Sequence, residues 1–185
     1  MIEDVINDAK GHMQKTLEAT RRELASLRTG RASPALLDHI RVDYYQTPTP
    51  INQLATIAVP EPRLLVVQPW DKSVTKEIER ALLKSDLGLV PNSDGVVIRL
   101  PIPQLTEERR KELVKVSRKH GEEGRVAVRN IRREAKEMLE ELEKEGEISE
   151  DDSRRAQERL QRLTDEMIAN LDRLLATKEK EIMEI

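Results

Sequence analysis

Apolar residues recur at steps of three and four along three stretches of the chain, the spacing that lines one face of an α-helix. The first covers residues 2–28, with Ile2, Ile6, Ala9, Met13, Leu17, Thr20, Leu24 and Leu27 on its stripe. The second, Thr106 to Glu145, holds no proline and carries Leu113, Val116, His120, Gly124, Ala127, Ile131, Ala135, Met138 and Leu142. At about 1.5 Å per residue it is one helix of about 60 Å. Gly146 stops it, and Ser149 caps a third helix with Glu150, Asp151 and Asp152 in the first turn. There the pattern resumes at Ala156, Leu160, Leu163, Met167, Leu171, Leu174 and Ile182. Three matched stripes with a tight turn between the last two predict an antiparallel three-helix bundle from residues 1–29 and 104–185.

Between residues 30 and 103 the pattern changes. Prolines crowd in, and β-branched runs at Ile40–Tyr44, Ala55–Val59, Leu64–Gln68 and Val96–Leu100 predict strands. A short helix is expected from Val74 to Leu83, with Ile78, Leu82 and Leu83 on one side. The insert is a small β/α/β domain, which makes the fold class α+β. Two tethers join it to the bundle, Thr29, Gly30 and Arg31 on one side and Pro101, Ile102 and Pro103 on the other. Gly30 can adopt a left-handed cap and the two prolines restrict the chain beside them, so the paired tethers are read as a hinge, the alternative being ordinary loops with a fixed interface.

Charge adds a second stripe to the central helix. Residues 109–136 hold eleven Lys/Arg against four acids, a segment of +7 in a molecule of −3, while residues 137–185 stand at −8. Lys111, Arg118, Arg125, Arg129, Arg132 and Lys136 lie about 135° around the helix from the apolar stripe, facing solvent or a ligand. A solvated face is one reading. The other is a nucleic-acid contact, because arginine dominates and its planar fork suits phosphate and base edges.

Composition then removes whole classes of chemistry. With no cysteine there is no disulfide, thiolate catalysis or cysteine zinc site. His12, His39 and His120 are far apart and lack metal-ligand spacing, and His120, on the apolar stripe, is expected to be a satisfied core or boundary histidine and not a ligand. Neither a metal nor a cofactor is expected. No Gly-rich phosphate loop, nucleophile elbow or His-Glu-x-x-His is present, so no catalytic residue is assigned and the chain is not read as an enzyme. The start, Met1-Ile2-Glu3-Asp4-Val5, is unlike a signal peptide, and no apolar run could cross a bilayer. A soluble cytoplasmic protein with no membrane partner is expected.

Five segments in order carry a family resemblance: Leu27-Arg28-Thr29-Gly30-Arg31-Ala32-Ser33-Pro34, Val42-Asp43-Tyr44-Tyr45 with Thr47-Pro48, Asp86-Leu87-Gly88-Leu89, Pro101-Ile102-Pro103, and Val126-Ala127-Val128-Arg129-Asn130-Ile131-Arg132-Arg133. Over its full length the chain resembles the bacterial ribosome recycling factors. The resemblance implies an L-shaped monomer of two hinged domains. It implies a factor that binds the post-termination ribosome and, with elongation factor G and its GTP hydrolysis, splits it into subunits and frees mRNA and deacylated tRNA. It places Arg129 and Arg132 against large-subunit ribosomal RNA, with Arg133 and Lys136 beside them and Arg125, Arg118 and Arg28 as further candidates. Gly121 and Gly124 look unusual for the helix, and close packing or a close ligand backbone would account for them. On the residues alone, the rival is a helical adaptor or chaperone-like module that binds proteins through the bundle.

Overall fold

The computed structural model describes residues 1–27 and 29–184 and divides into two compact units, residues 1–29 with 107–184 and residues 30–106. The first unit is three helices, α1 (Ile2–Ala25), α3 (Glu107–Lys144) and α4 (Glu150–Met183). Its core is aliphatic: Ile6, Ala9 and Met13 of α1 meet Val128, Ala135 and Leu139 of α3 and Ala156, Leu160, Met167 and Leu171 of α4.

Helix directions follow from the contacts between chains of side chains. Thr20 meets position 124 and Glu23 meets His120, so α1 and α3 are antiparallel. Arg118 pairs with Glu179 and Arg125 with Asp172, so α3 and α4 are antiparallel as well. The turn between them forms by side-chain-free chemistry. Gly146, at φ +77°, donates to Glu143 O at 3.0 Å and Glu147 donates to Leu142 O at 2.9 Å, which satisfies two of the last carbonyls of α3. Ser149 Oγ then accepts the Asp152 N–H at 3.0 Å and opens α4.

The buried stripe of α3 overlaps the one its apolar spacing predicts at Leu113, Gly124 and Ala135 and departs from it elsewhere. Leu113, Ser117, Gly121, Gly124, Val128, Ala135 and Leu139 are buried, whereas Val116 and Met138 are exposed. A helix wedged against two others buries a wide face, and the small residues on it admit the neighbours closely. A Cβ on Gly124 would stand 2.8 Å from Thr20 Oγ1 and 3.3 Å from Leu171 Cδ2, and one on Gly121 would stand 3.0 Å from Leu175 Cδ2. Helix packing thus accounts for both glycines. His120 lies at the boundary of the bundle, one of its two expected places, with its side chain 26% exposed beside Glu23 and Glu123, but it is not satisfied as expected, because its Nδ1 has no hydrogen-bond partner.

The second unit holds a two-stranded hairpin, β1 (Arg41–Tyr44) with β2 (Thr47–Pro50), and a four-stranded antiparallel sheet ordered β3-β4-β6-β5. Its strands are β3 (Ala55–Glu61), β4 (Leu64–Pro69), β5 (Asn92–Ser93) and β6 (Ile98–Pro101), and helix α2 spans Thr75–Lys84. Val42, Leu65, Val67, Ile78, Leu82, Ile98 and Leu100 are buried in one shared core. Leu83, expected beside Ile78 and Leu82, is 62% exposed, because it stands about 100° from Leu82 around a helix with a narrow apolar face. Strand β2 went unread because its sequence is Thr-Pro-Thr-Pro, tolerated in a strand that pairs on one side only. Tyr45 and Gln46 close that hairpin at φ +48° and +65°, a tight-turn conformation with none of the glycine or asparagine that usually announces it.

Candidate nucleic-acid interface

The basic stripe of α3 separates into two sets once α4 is in place. Arg125 donates to Asp172 Oδ1 from Nη2 at 2.6 Å and from Nε at 2.8 Å, and to Glu122 Oε2 at 3.1 Å. These bonds, the Asp172 one foremost, hold the guanidinium above its ordinary pKa. Arg118 Nε donates to Glu179 Oε1 at 2.8 Å. The acids, seven residues apart on α4, match basic residues seven apart on the antiparallel α3, so each pair closes in the same register.

This corrects one expectation, since Arg125 does not face solvent, being only 21% exposed in its side chain. Two acids of the acidic carboxy-terminal segment, Asp172 and Glu179, face the basic stripe. Sequence reasoning missed the clasp although its signal was present in the matched seven-residue spacing.

Further along α3 the cations are much less engaged. Arg129, with a half-exposed side chain, approaches Glu122 only at 3.6 Å, and Lys136 approaches Glu140 on its own helix at 3.6 Å. Arg132 is half-buried and Arg133 exposed, and among the described residues neither has an ion pair. Residues at steps of three and four share a helix face, so Arg129, Arg132, Arg133 and Lys136 form one continuous basic surface. Exposed pairs of such length are worth little against a phosphate. Arg28 lies outside the described residues.

The tether residues fall unevenly. Gly30 takes φ +76° and Thr29 is buried. Pro101 ends β6 paired with Leu64, and the Ile102 N–H donates to Arg63 O at 2.8 Å, so both belong to the sheet unit. Beyond Ile102 the chain crosses to the bundle through residues 103–106.

Comparison with known proteins agrees along the whole chain. The ribosome recycling factor family pattern matches residues 20–183. Ribosome-recycling factors of Brevibacillus brevis and Syntrophomonas wolfei are 59% and 60% identical over 185 residues, all of both chains. A solution structure of a ribosome recycling factor is 50% identical, with a TM-score of 0.78 over 100% of this chain and 98% of that one. A T. thermophilus ribosome recycling factor, described with E. coli elongation factor G bound to the E. coli post-termination complex, is 51% identical with a TM-score of 0.67 over 99% of each chain. A bundle with a small sheet domain, a loosely engaged arginine face on its longest helix and this full-length identity lead to one conclusion: the chain belongs to the ribosome recycling factor family.

Proposed function

We propose that this chain recycles ribosomes: it binds the post-termination ribosome and, with elongation factor G and its GTP hydrolysis, splits it into subunits, releasing mRNA and deacylated tRNA. It acts in the cytoplasm, as a monomer, by binding and not by catalysis. No helix among the described residues is long and apolar enough to cross a membrane. The observation that carries the reading, beyond family membership, is the surface of α3 on which Arg129, Arg132, Arg133 and Lys136 stand with weak competitors or none. A guanidinium without a local carboxylate keeps its donors for phosphate or base edges, so this face docks on large-subunit ribosomal RNA. Arg118 and Arg125 serve the bundle first, and Arg125 reaches RNA only by giving up Asp172.

The sheet unit then moves as a body about the two crossings, with bending in residues 29–31 and 103–106. Pro101 and Ile102, tied into the sheet, act as its fixed edge. Light scattering of post-termination ribosomes tests the function: the chain with elongation factor G and GTP lowers the signal, and neither protein does so alone. No splitting under those conditions overturns the reading, and a bundle that bound proteins in place of ribosomes would support the adaptor.

A further inference from the structure

The unit formed by α1, α3 and α4 holds a second cluster, whose α3 members His120 and Glu123 precede Arg129 by nine and six residues. His120 Nδ1 lies 2.9 Å from Glu23 Oε2 on α1 and 3.8 Å from Glu123 Oε2 one turn along α3. One donor atom from each of the three lies within 4.8 Å of the others. The Nδ1 atom is itself enclosed and has no hydrogen-bond partner, so its lone pair or proton is directed at carboxylates without a bond to fix it. A nitrogen orphaned between two carboxylates is a poor arrangement for the protein alone. It is a good one for a cation.

We propose that His120, Glu23 and Glu123 form a site for a divalent transition-metal ion of the zinc type, which would clip α1 to α3. Imidazole with two carboxylates favours zinc, cobalt or nickel over magnesium and calcium, which take oxygen alone. With metal–ligand distances of about 2.1 Å, tetrahedral donors stand about 3.4 Å apart, and the 2.9 and 3.8 Å separations straddle that value. Water completes the coordination, because the protein offers three ligands. His120 and Glu123 are three residues apart on one helix, the spacing by which facing helices of metal-binding bundles supply a histidine and a carboxylate together. The expectation of no metal came from comparing histidines with one another; here one histidine is completed by acids, one of them nearly a hundred residues away in sequence. Glu23 is two residues from the end of α1 at Ala25, so the ion would fix that helix's last turn.

The test is titration of the full chain with zinc chloride at neutral pH in a non-coordinating buffer, followed by calorimetry, with cobalt(II) absorption as a second probe. The proposal expects one equivalent bound, visible cobalt bands of four- or five-coordinate type, and slower amide exchange in residues 22–25 when zinc is present. Glu23→Gln and Glu123→Gln, at exposed side chains, should each weaken binding at least tenfold while melting as wild type does without metal. His120→Gln should abolish the cobalt bands, and millimolar magnesium should not displace zinc. Absence of binding at millimolar zinc, or one-equivalent binding that survives all three substitutions unchanged, would overturn the proposal.

Discussion

Arg125 and Arg132 are seven residues apart on one helix and carry the same charge, yet their surroundings give them different work. Arg125→Ala removes bonds to Asp172 and Glu122 across and along the bundle and should lower stability by about 0.5–1 kcal/mol, discounted for the half-exposed acids. Arg132→Ala should leave the melting temperature unchanged and weaken ribosome binding by about 1–3 kcal/mol, seen by comparing thermal melts with cosedimentation. Equal losses in both assays for both variants would remove the distinction. In the sheet unit, Asp94 accepts from the Val97 and Val96 N–H groups and from Arg99, which holds its carboxyl at about 2. A depressed carboxylate contributes stability that is present above its ordinary range and lost as the pH falls from about 4 to about 2. Asp94→Asn should therefore melt lower than wild type at pH 6 and alike at pH 2. At this scale the sequence disclosed which residues are basic but not which are spoken for, since that depends on Asp172 and Glu179 arriving from another helix.

Among the elements, the three helices were legible because period and caps agree: Ser149 and Gly146 punctuate α3 and α4 where the residue types predict. On α3 the apolar spacing points to Val116 and Met138, one position before the buried Ser117 and Leu139. Ser117 and Gly121 are buried for being small, and a hydropathy pattern cannot see that. Gly124→Ala gains about 1 kcal/mol of helix propensity but places a methyl against Thr20 Oγ1 and Leu171, so a net loss of about 1–2 kcal/mol is expected by chemical denaturation. Gly121→Ala meets only the flexible end of Leu175 and should be close to neutral. If both substitutions stabilised, the close helix approach would be wrong. The strand β2 and its Tyr45-Gln46 turn were illegible because prolines and a non-glycine turn contradict the usual signals, and tertiary packing overrode them.

For the whole molecule, the chain divides into a bundle unit and a sheet unit, and the proposed function assigns the arginine face to the first and movement about the crossings to the second. Because the chain has no cysteine, introduced cysteines at Glu134 on α3 and Lys76 on α2 can carry a donor and an acceptor dye cleanly. On the ribosome, adding elongation factor G should shift the distance distribution between them, whereas a single unchanged distance in every state would rule out movement about the crossings. The account rests most heavily on arginine contacts to RNA, and the salt dependence of binding reaches that directly. The affinity of the wild-type chain for large ribosomal subunits should be measured by cosedimentation over a range of potassium concentrations, beside a variant combining Arg132→Ala with Arg133→Ala. Each phosphate contact contributes about 0.7–0.9 to the slope of log K against log salt, so the variant should lose about 1.4–1.8 of that slope while melting as wild type does. An identical slope and affinity for the two proteins would contradict the account, because the arginines that α3 leaves without ion pairs would then have no part in holding the ribosome.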